Sequence, residues 1–191
     1  MNPTNTREAI VEAARLLVQD ASYYGLTFRD VSERVGIRKA SIYHHFGTKE
    51  ALAVAMLDRA AEDFGNWARR FEHEPPMVRL QAYCFDFYRD RLQAGDKLCP
   101  GGAFTAAWPH LGDAVRMAVN RLFDAQHRFV KQALIAAQAG DATGESQDPE
   151  EIATWVIASV QGAIVTARAR GDASLFERLC QRSLQQLHLA D

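Results

Sequence analysis

Basic side chains are concentrated in one short stretch of the 191-residue chain. Between positions 29 and 49 there are five basic residues against two acidic ones, in a chain whose formal net charge is −2. The basic residues are Arg29, Arg34, Arg38, Lys39 and Lys49. Because grouped cations of this kind neutralise phosphates, the stretch predicts contact with a nucleic-acid backbone.

Lys49 gives the strongest indication within this stretch. It falls in the first turn of a predicted helix that begins at Thr48. A cation is mildly unfavourable there because it faces the positive end of the helix dipole. A phosphate bound at the same helix terminus would remove this conflict, so we predict that Lys49 contacts DNA.

Two short helices joined by a tight turn would present these side chains. Thr27 can cap the first helix, with Asp30 three residues later as a variant of the capping box. Apolar residues at helical spacing would share its buried face: Phe28, Val31 and Val35. Gly36 can supply the left-handed residue that ends this helix.

The second short helix would bury Ile37, Ile42 and Phe46 in the same core. Two short helices with a glycine-containing turn, here over residues 27–46, form the helix-turn-helix pattern whose second helix enters the major groove. The sequence therefore predicts a DNA-binding head.

The run from Thr27 to Leu52, above all Ile-Tyr-His-His-Phe-Gly-Thr-Lys-Glu-Ala-Leu from Ile42, resembles the signature of the TetR family of bacterial transcriptional regulators. The resemblance implies an all-α, nine-helix architecture with a three-helix helix-turn-helix head in residues 1–60. It also implies a helical effector-binding and dimerisation domain in residues 61–191. Two positions depart from the family pattern: Val35 replaces a common Ala, and Arg38 replaces a common Ser or Thr cap.

Carried over residue by residue, the resemblance implies phosphate contacts for Thr27 and Lys49. On the second helix, Tyr43 and His44 would meet backbone phosphates. Arg38 could contact either a phosphate or a base edge. It is not expected to cap the helix, because arginine cannot cap a helix as serine does. The residues nearer to base edges would be Lys39, Ala40 and Ser41.

The composition supports an all-helical cytoplasmic protein. No alternating strand pattern bounded by turns is present. The longest apolar run, Ala51 to Leu57, has seven residues, so we expect no membrane-spanning segment. The three cysteines are far apart, which is typical of a reducing compartment and not of a disulfide framework or a zinc site.

No motif in the sequence predicts catalysis, a cofactor or a metal. A phosphate-binding loop, a nucleophile elbow and a zinc-hydrolase motif are absent from the sequence. Adjacent residues on a helix, such as His44 and His45, point about 100° apart and are poorly placed to share one ion. A helical enzyme or metabolite-binding module remains an alternative that would lack salt-dependent DNA affinity.

Beyond the head, apolar periodicity predicts helices over Thr48 to Phe71, Met77 to Ala94, Leu111 to Ala139, Pro149 to Arg170 and Ala173 to His188, with a short apolar segment from Ala103 to Trp108.

The helix from Pro149 is apolar around more than one stripe. A helix-turn-helix protein gains affinity as a dimer on half-sites about 10 base pairs apart or a multiple of that. In the family the last two helices form the dimer interface, whose candidate residues are Trp155, Ser159, Gly162, Ala163 and Leu179; the alternative is that this helix is internal core.

Aromatic residues are frequent in the middle of the chain. Family members keep an apolar cavity there, so we predict a small, mainly apolar or aromatic effector that shifts the equilibrium between two head arrangements. The candidate lining residues are Phe64, Trp67, Tyr83, Phe87, Cys99, Phe104, Trp108 and Phe123. The alternative for each aromatic residue is an ordinary place in the core.

Cys99 is a second candidate sensor. It follows Lys97 and precedes Pro100, in a loop that could expose the thiol and favour the thiolate. The alternative is a small buried apolar residue. The expected protein is thus a homodimeric repressor that binds a palindromic operator and is released from it by an effector. A thiol-based sensor and a constitutive DNA-binding protein are the alternatives.

Overall fold

The computed structural model describes residues 3–89, 97–139 and 148–187, and every regular element in these ranges is helical. Nine α-helices lie in them: α1 (Pro3–Ala21), α2 (Phe28–Val35), α3 (Lys39–His45), α4 (Lys49–Ala68), α5 (Pro76–Gln81), α6 (Gly102–Thr105), α7 (Asp113–Gln138), α8 (Pro149–Arg170) and α9 (Ala173–Gln185). The predicted all-α, nine-helix fold is confirmed.

The chain forms two compact units. The first comprises residues 1–62 and 99–123, and the second comprises residues 63–98 and 124–191. Residues 99–123, which the sequence assigned to the C-terminal domain, therefore group with the head. α4 and α7 each contribute residues to both units.

In the first unit, α1 packs against α2, and α2 packs against α3. The fully buried residues here follow the helical spacing seen in the sequence: Ile10, Val18, Leu26, Val31, Ile42, Leu52 and Met56. A short 3₁₀ turn, Tyr23–Gly25, connects α1 to the cap of α2. α1 ends at Ala21 because the next residue, Ser22, takes a positive φ of 63°.

In the second unit, α8 packs along α9. Both helices begin with an aspartate cap: the Asp148 carboxylate accepts from Glu150 N at 2.9 Å, and the Asp172 carboxylate accepts from Leu175 N at 3.2 Å. Gly171, with φ 59°, ends α8. The predicted bounds of α8 are therefore confirmed.

The helix predicted over Met77 to Ala94 differs from the expectation. α5 changes at Ala82 into a five-residue π-helical segment, Ala82–Asp86. An isolated π turn offsets the side chains that follow it and often marks a functional part of a helix. The predicted continuation to Ala94, the polar stretch from Gly140 and the end at His188 lie outside the described residues.

One described helix meets the length and composition of a membrane span, but this does not overturn the expectation that no segment crosses a membrane. Among the described helices, α8 is long and apolar enough to do so by length and composition, with a mean hydropathy of 1.3. Small residues keep the mean hydropathy of α8 high, although α8 contains no long uninterrupted run of apolar residues. However, seven α8 residues are buried inside the protein, so α8 is a core helix with one open face.

Candidate nucleic-acid interface and helical body

The turn between α2 and α3 is built as the sequence predicted. Thr27 Oγ1 accepts from Asp30 N at 3.1 Å and donates to the Asp30 carboxylate at 2.6 Å. Gly36 takes a left-handed φ of 74° and its N–H donates to Ser32 O at 3.0 Å. Each terminus of α2 is therefore satisfied locally, which fixes where α3 begins.

α3 buries one face and exposes the other. Ile42 and Phe46 are in the core, and Arg7 stacks over the Phe46 ring at 4.9 Å. Arg38 is the N-cap residue, makes no capping hydrogen bond and is exposed. The outward residues of the predicted DNA-contacting set are Arg38, Lys39, Ala40, Tyr43 and His44, with Ser41 partly exposed.

Tyr43 and Lys39 form a supported pair on the open face of α3. The Tyr43 side chain is 52% exposed, and its ring meets the Phe28 ring edge-on at 4.7 Å. Lys39 Nζ lies 5.8 Å from the centroid of the Tyr43 ring. Within the described residues neither Arg38 nor Lys39 forms an ion pair, so both charges face outward unneutralised.

Lys49 is the first residue of α4, as predicted, but its surroundings were not foreseen. The hydroxyl of Thr48 caps α4 by accepting from Ala51 N at 3.0 Å. Lys49 Nζ stands 4.0 Å from the centroid of the Tyr23 ring. Burial lowers the pKa of Lys49 from its ordinary value. Sequence reasoning missed Tyr23, because its contact with Lys49 spans 26 positions and no local pattern records it.

In the second unit, four of the predicted effector residues come together. The Phe64 ring lies 5.6 Å from Trp67, 6.3 Å from Tyr83 and 5.0 Å from Phe87, measured between ring centroids. Phe129 joins them at 5.9 Å from Phe64. These five residues are called the aromatic cluster below.

A buried polar group lies beside the aromatic cluster. Gln126 is fully buried, and its Oε1 accepts from Tyr83 Oη at 2.9 Å and from Tyr88 Oη at 3.1 Å. Gln161 Nε2 donates to Tyr88 Oη at 3.2 Å. The tyrosines belong to or follow the π-helical segment, and their partners lie on α7 and α8. This network was missed, since a glutamine on an apolar helix face carries no signal of its partners.

A surface groove of about 370 Å³ opens next to the aromatic cluster. Its lining combines aromatic rings with charges of both signs: Asp63, Trp67, Arg70, Phe71, Asp86, Phe87 and Arg89. Arg89 pairs with Asp86 at 3.1 Å. The groove could thus admit an aromatic molecule that carries a polar substituent.

The other four predicted effector residues belong to the first unit. Phe104 is buried and its ring lies 5.3 Å from that of Tyr23. Phe123 is partly exposed. Trp108 is on the surface, where Arg116 stacks over its ring at 5.8 Å and donates to its carbonyl oxygen at 3.2 Å. A surface tryptophan stacked under an arginine does not line a cavity, which corrects the expectation for Trp108.

Of the two interpretations given for Cys99, an exposed thiol and a small buried residue, the structure agrees with the buried one. Cys99 is 2% exposed, and its carbonyl accepts from Ala103 N at 2.9 Å in the turn that starts α6. Cys84 and Cys180 are buried as well, and burial raises the pKa of Cys180 to about 12. Thiols that are buried away from solvent do not favour a redox sensor.

The open face of α8 carries most of the predicted dimer residues. Trp155 and Gly162 are exposed, and Ser159 and Leu179 are partly exposed. Ala163 is 3% exposed inside its own chain, so its assignment to an interface is wrong; it lies on the side of α8 that packs into the core.

The sequence had indicated Ala158 as one of the small residues that let another helix approach, but two further members of this face, Val165 and Ala169, were missed. Ala158, Val165 and Ala169 are exposed, Val165 to 57%. With Trp155 and Gly162 they follow alternating spacings of three and four residues, which place them on one stripe of a helix. That spacing, followed from Trp155 instead of from the small residues alone, would have identified Val165 and Ala169.

Two family models match separate parts of the chain, and the second one includes residues 99–123 in the C-terminal domain. Residues 10–56 match the model for bacterial regulatory proteins of the tetR family, and residues 76–182 match the model described as transcriptional regulator LmrA/YxaF-like, C-terminal domain.

Individual relatives and solved structures agree. The HTH-type transcriptional repressor DhaR of Mycobacterium sp. (strain GP1) is 27% identical over 86% of this chain and 83% of that protein. An uncharacterized HTH-type transcriptional regulator of Mycobacterium tuberculosis is 30% identical over 97% of this chain and 95% of its own length. The crystal structure of a TetR family regulator from Agrobacterium tumefaciens superposes with a TM-score of 0.87 at 26% identity, covering 97% of this chain and 98% of that one. The helix-turn-helix geometry and these matches together show that the chain belongs to the TetR family of bacterial transcriptional regulators.

Proposed function

We propose that this DNA-binding regulator is a cytoplasmic repressor that binds a palindromic operator as a homodimer and is released by a small, mainly apolar or aromatic effector. The observation that carries the DNA contact is the exposed face of α3, where Arg38 and Lys39 project without ion-pair partners among the described residues. Unneutralised cations on a short helix after a tight turn suit a major groove flanked by phosphates.

The division of labour on this face is testable with two alanine variants. We expect Lys49→Ala to weaken binding to all sequences alike and to reduce the salt dependence by about one unit, because it removes one phosphate contact. Lys39→Ala should change the preference among sequences. Affinities of a randomised duplex library, measured at several salt concentrations, separate the two effects. Equal losses on every sequence from both variants would refute the division.

The homodimer is proposed from the stripe on α8, here defined as Trp155, Ala158, Gly162, Val165 and Ala169. An added Cβ at Gly162 would meet nothing within 4 Å inside the chain, so the space above it is open to a second helix. Gly162→Arg should turn a dimer into a monomer in sedimentation experiments at micromolar concentration. Gln132→Arg, which adds the same charge at an exposed position of α7, is the control and should leave the mass unchanged.

The effector is proposed to bind at the aromatic cluster, because two of its rings, Trp67 and Phe87, line the adjacent open groove. Trp67 offers a local probe, since the chain has three tryptophans and the other two can be replaced in a W108F/W155F variant. Compounds that quench Trp67 fluorescence should also weaken DNA binding. If none of the compounds that quench it did so, the constitutive DNA-binding alternative would stand.

A further inference from the structure

Tyr23 occupies an unusual place for an aromatic residue of a DNA-binding head. It begins the 3₁₀ turn between α1 and α2, directly after Ser22, and is 8% exposed. Burial, followed by the nearby Glu50 carboxylate, raises the pKa of its hydroxyl, so the ring stays neutral near pH 7. A neutral ring keeps the negative face that attracts cations.

The cation on that face is Lys49. Its Nζ lies 4.0 Å from the ring centroid, well inside the roughly 6 Å range of a cation–π contact. Lys49 forms no ion pair within the described residues, and burial lowers its pKa. With no anionic partner among the described residues, the ammonium group is available to an incoming phosphate, and that contact would offset its desolvation.

The Tyr23 ring is itself held from another direction. Phe104, which is fully buried on α6, packs against it with centroids 5.3 Å apart and ring planes tilted by 37°. The ring is therefore a fixed platform between α6 and the first residue of α4, not a side chain that turns freely. Lysine has a flexible four-carbon stem, so a fixed platform reduces the number of positions its ammonium can take.

We propose that Tyr23 is a positioning residue for DNA binding: its ring, braced by Phe104, holds the Lys49 ammonium where a backbone phosphate is bound. This inference rests on the phosphate contact proposed for Lys49. The ammonium has three N–H groups, so it can face the ring and donate to a phosphate at the same time. Tyr23 itself contacts no DNA in this arrangement.

The test compares two rings of nearly the same shape. Tyr23→Phe keeps the negative face, whereas pentafluorophenylalanine at position 23, introduced by codon suppression, inverts it and still packs against Phe104. The probe is a mixed-sequence 30-base-pair duplex at several salt concentrations, which reports phosphate contacts without knowledge of the operator. Both forms are compared in the otherwise unchanged full chain and in a Lys49→Ala background.

We expect the fluorinated ring to weaken affinity roughly two- to fivefold relative to Tyr23→Phe, the range of a partly exposed cation–π contact. The slope of affinity against salt should stay the same, because the phosphate contact persists. In the Lys49→Ala background the two rings should give equal affinities. A purely structural role of the ring would produce the same difference in both backgrounds and would overturn the proposal, as would tighter binding with the fluorinated ring.

Failure of the inference and failure of the proposed function give different results. If Lys49→Ala left the affinity and the salt slope unchanged, the phosphate contact of Lys49 would be wrong. If Lys49→Ala weakened binding but the two rings behaved alike, only the role of Tyr23 would be wrong.

Should the fluorinated protein fail to fold, the upfield ring-current shift of the Lys49 ε-methylene protons gives a second measurement. This shift should persist in Tyr23→Phe and vanish in Tyr23→Leu. Its absence from the unaltered protein would overturn the proposal.

Discussion

The head and the helical body place their candidate functional residues in opposite surroundings. On α3 the candidate side chains are mostly exposed, and short-range devices such as the Thr27 cap and Gly36 fix their positions. In the second unit the corresponding residues are aromatic and mostly buried, and contacts between distant helices fix them. The proposed DNA surface is thus formed without its partner, whereas the proposed effector site requires part of a packed core to open.

The strongest test of this contrast replaces one aromatic residue in each region. Phe64 is 1% exposed and its ring meets four others, so Phe64→Ala should lower the free energy of unfolding by about 3–5 kcal/mol. Tyr43→Ala should cost only about 0.5–1.5 kcal/mol, because Tyr43 is half exposed and loses one edge-on ring contact.

Urea unfolding followed by circular dichroism measures both values, and DNA affinity supplies the converse comparison. Tyr43→Ala should weaken DNA binding although the protein stays folded. The contrast between the two regions would collapse if the two variants lost the same stability, or if Tyr43→Ala left DNA binding unchanged.

A smaller effect should come from the polar network beside the aromatic cluster. Gln126→Leu removes the acceptor of two buried hydroxyl groups, Tyr83 and Tyr88, and should cost about 1–3 kcal/mol. Adding Tyr83→Phe removes one of the hydroxyls that lost its acceptor. The double variant should therefore be more stable than the sum of the single effects predicts, whereas simple additivity would show that the hydroxyl does not depend on Gln126.

The contrast also explains which features the sequence could predict. The head depends on residues three or four positions apart and on one left-handed glycine, so the caps, the turn and the exposed face of α3 followed from local rules. Nine helices and the bounds of α8 followed from periodicity, Pro149 and Gly171. The family assignment came from the residues around Lys49 and is confirmed, and with it the expectation of a regulator that is not an enzyme.

The sequence-based predictions failed where contacts between residues far apart in the sequence determine whether a side chain is buried. Periodicity showed that Ala163 faces one side of α8 but not whether that side meets the core or a partner. The Pro-Gly-Gly turn after Cys99 left both an exposed and a buried thiol open, and only the packing of that turn, which begins α6, shows that the thiol is buried. For the same reason, no local sequence pattern indicates the contact between Lys49 and Tyr23 in the head or the hydrogen bonds of Gln126 in the body.

The local character of the head can be tested at the cap of α2. Thr27→Ala should cost about 1 kcal/mol of stability, because the N–H of Asp30 loses its acceptor. Thr27→Ser keeps a hydroxyl and should behave like the unaltered protein. Hydrogen exchange of the Asp30 amide measures the local effect. A loss confined to amides of the second unit would contradict the assignment of this cap to the head.

The smallest effect is expected at the corresponding cap in the body, where the acceptor is charged. Hydrogen bonds from Ser174 and then from Arg178 hold the pKa of Asp172 at about 2, below its ordinary 3.8. Because the folded pKa is the lower one, the carboxylate stabilises the fold above pH 3.8, and this contribution is lost as the pH falls toward 2. Asp172→Asn keeps an acceptor oxygen for Leu175 N but has no carboxylate to titrate. The stability difference between the two proteins should therefore shrink as the pH is lowered from 5 to 3, which urea unfolding at each pH measures. A difference that stayed constant would mean that the solvent-exposed carboxylate contributes as a neutral acceptor only, and that the caps of head and body work in the same way.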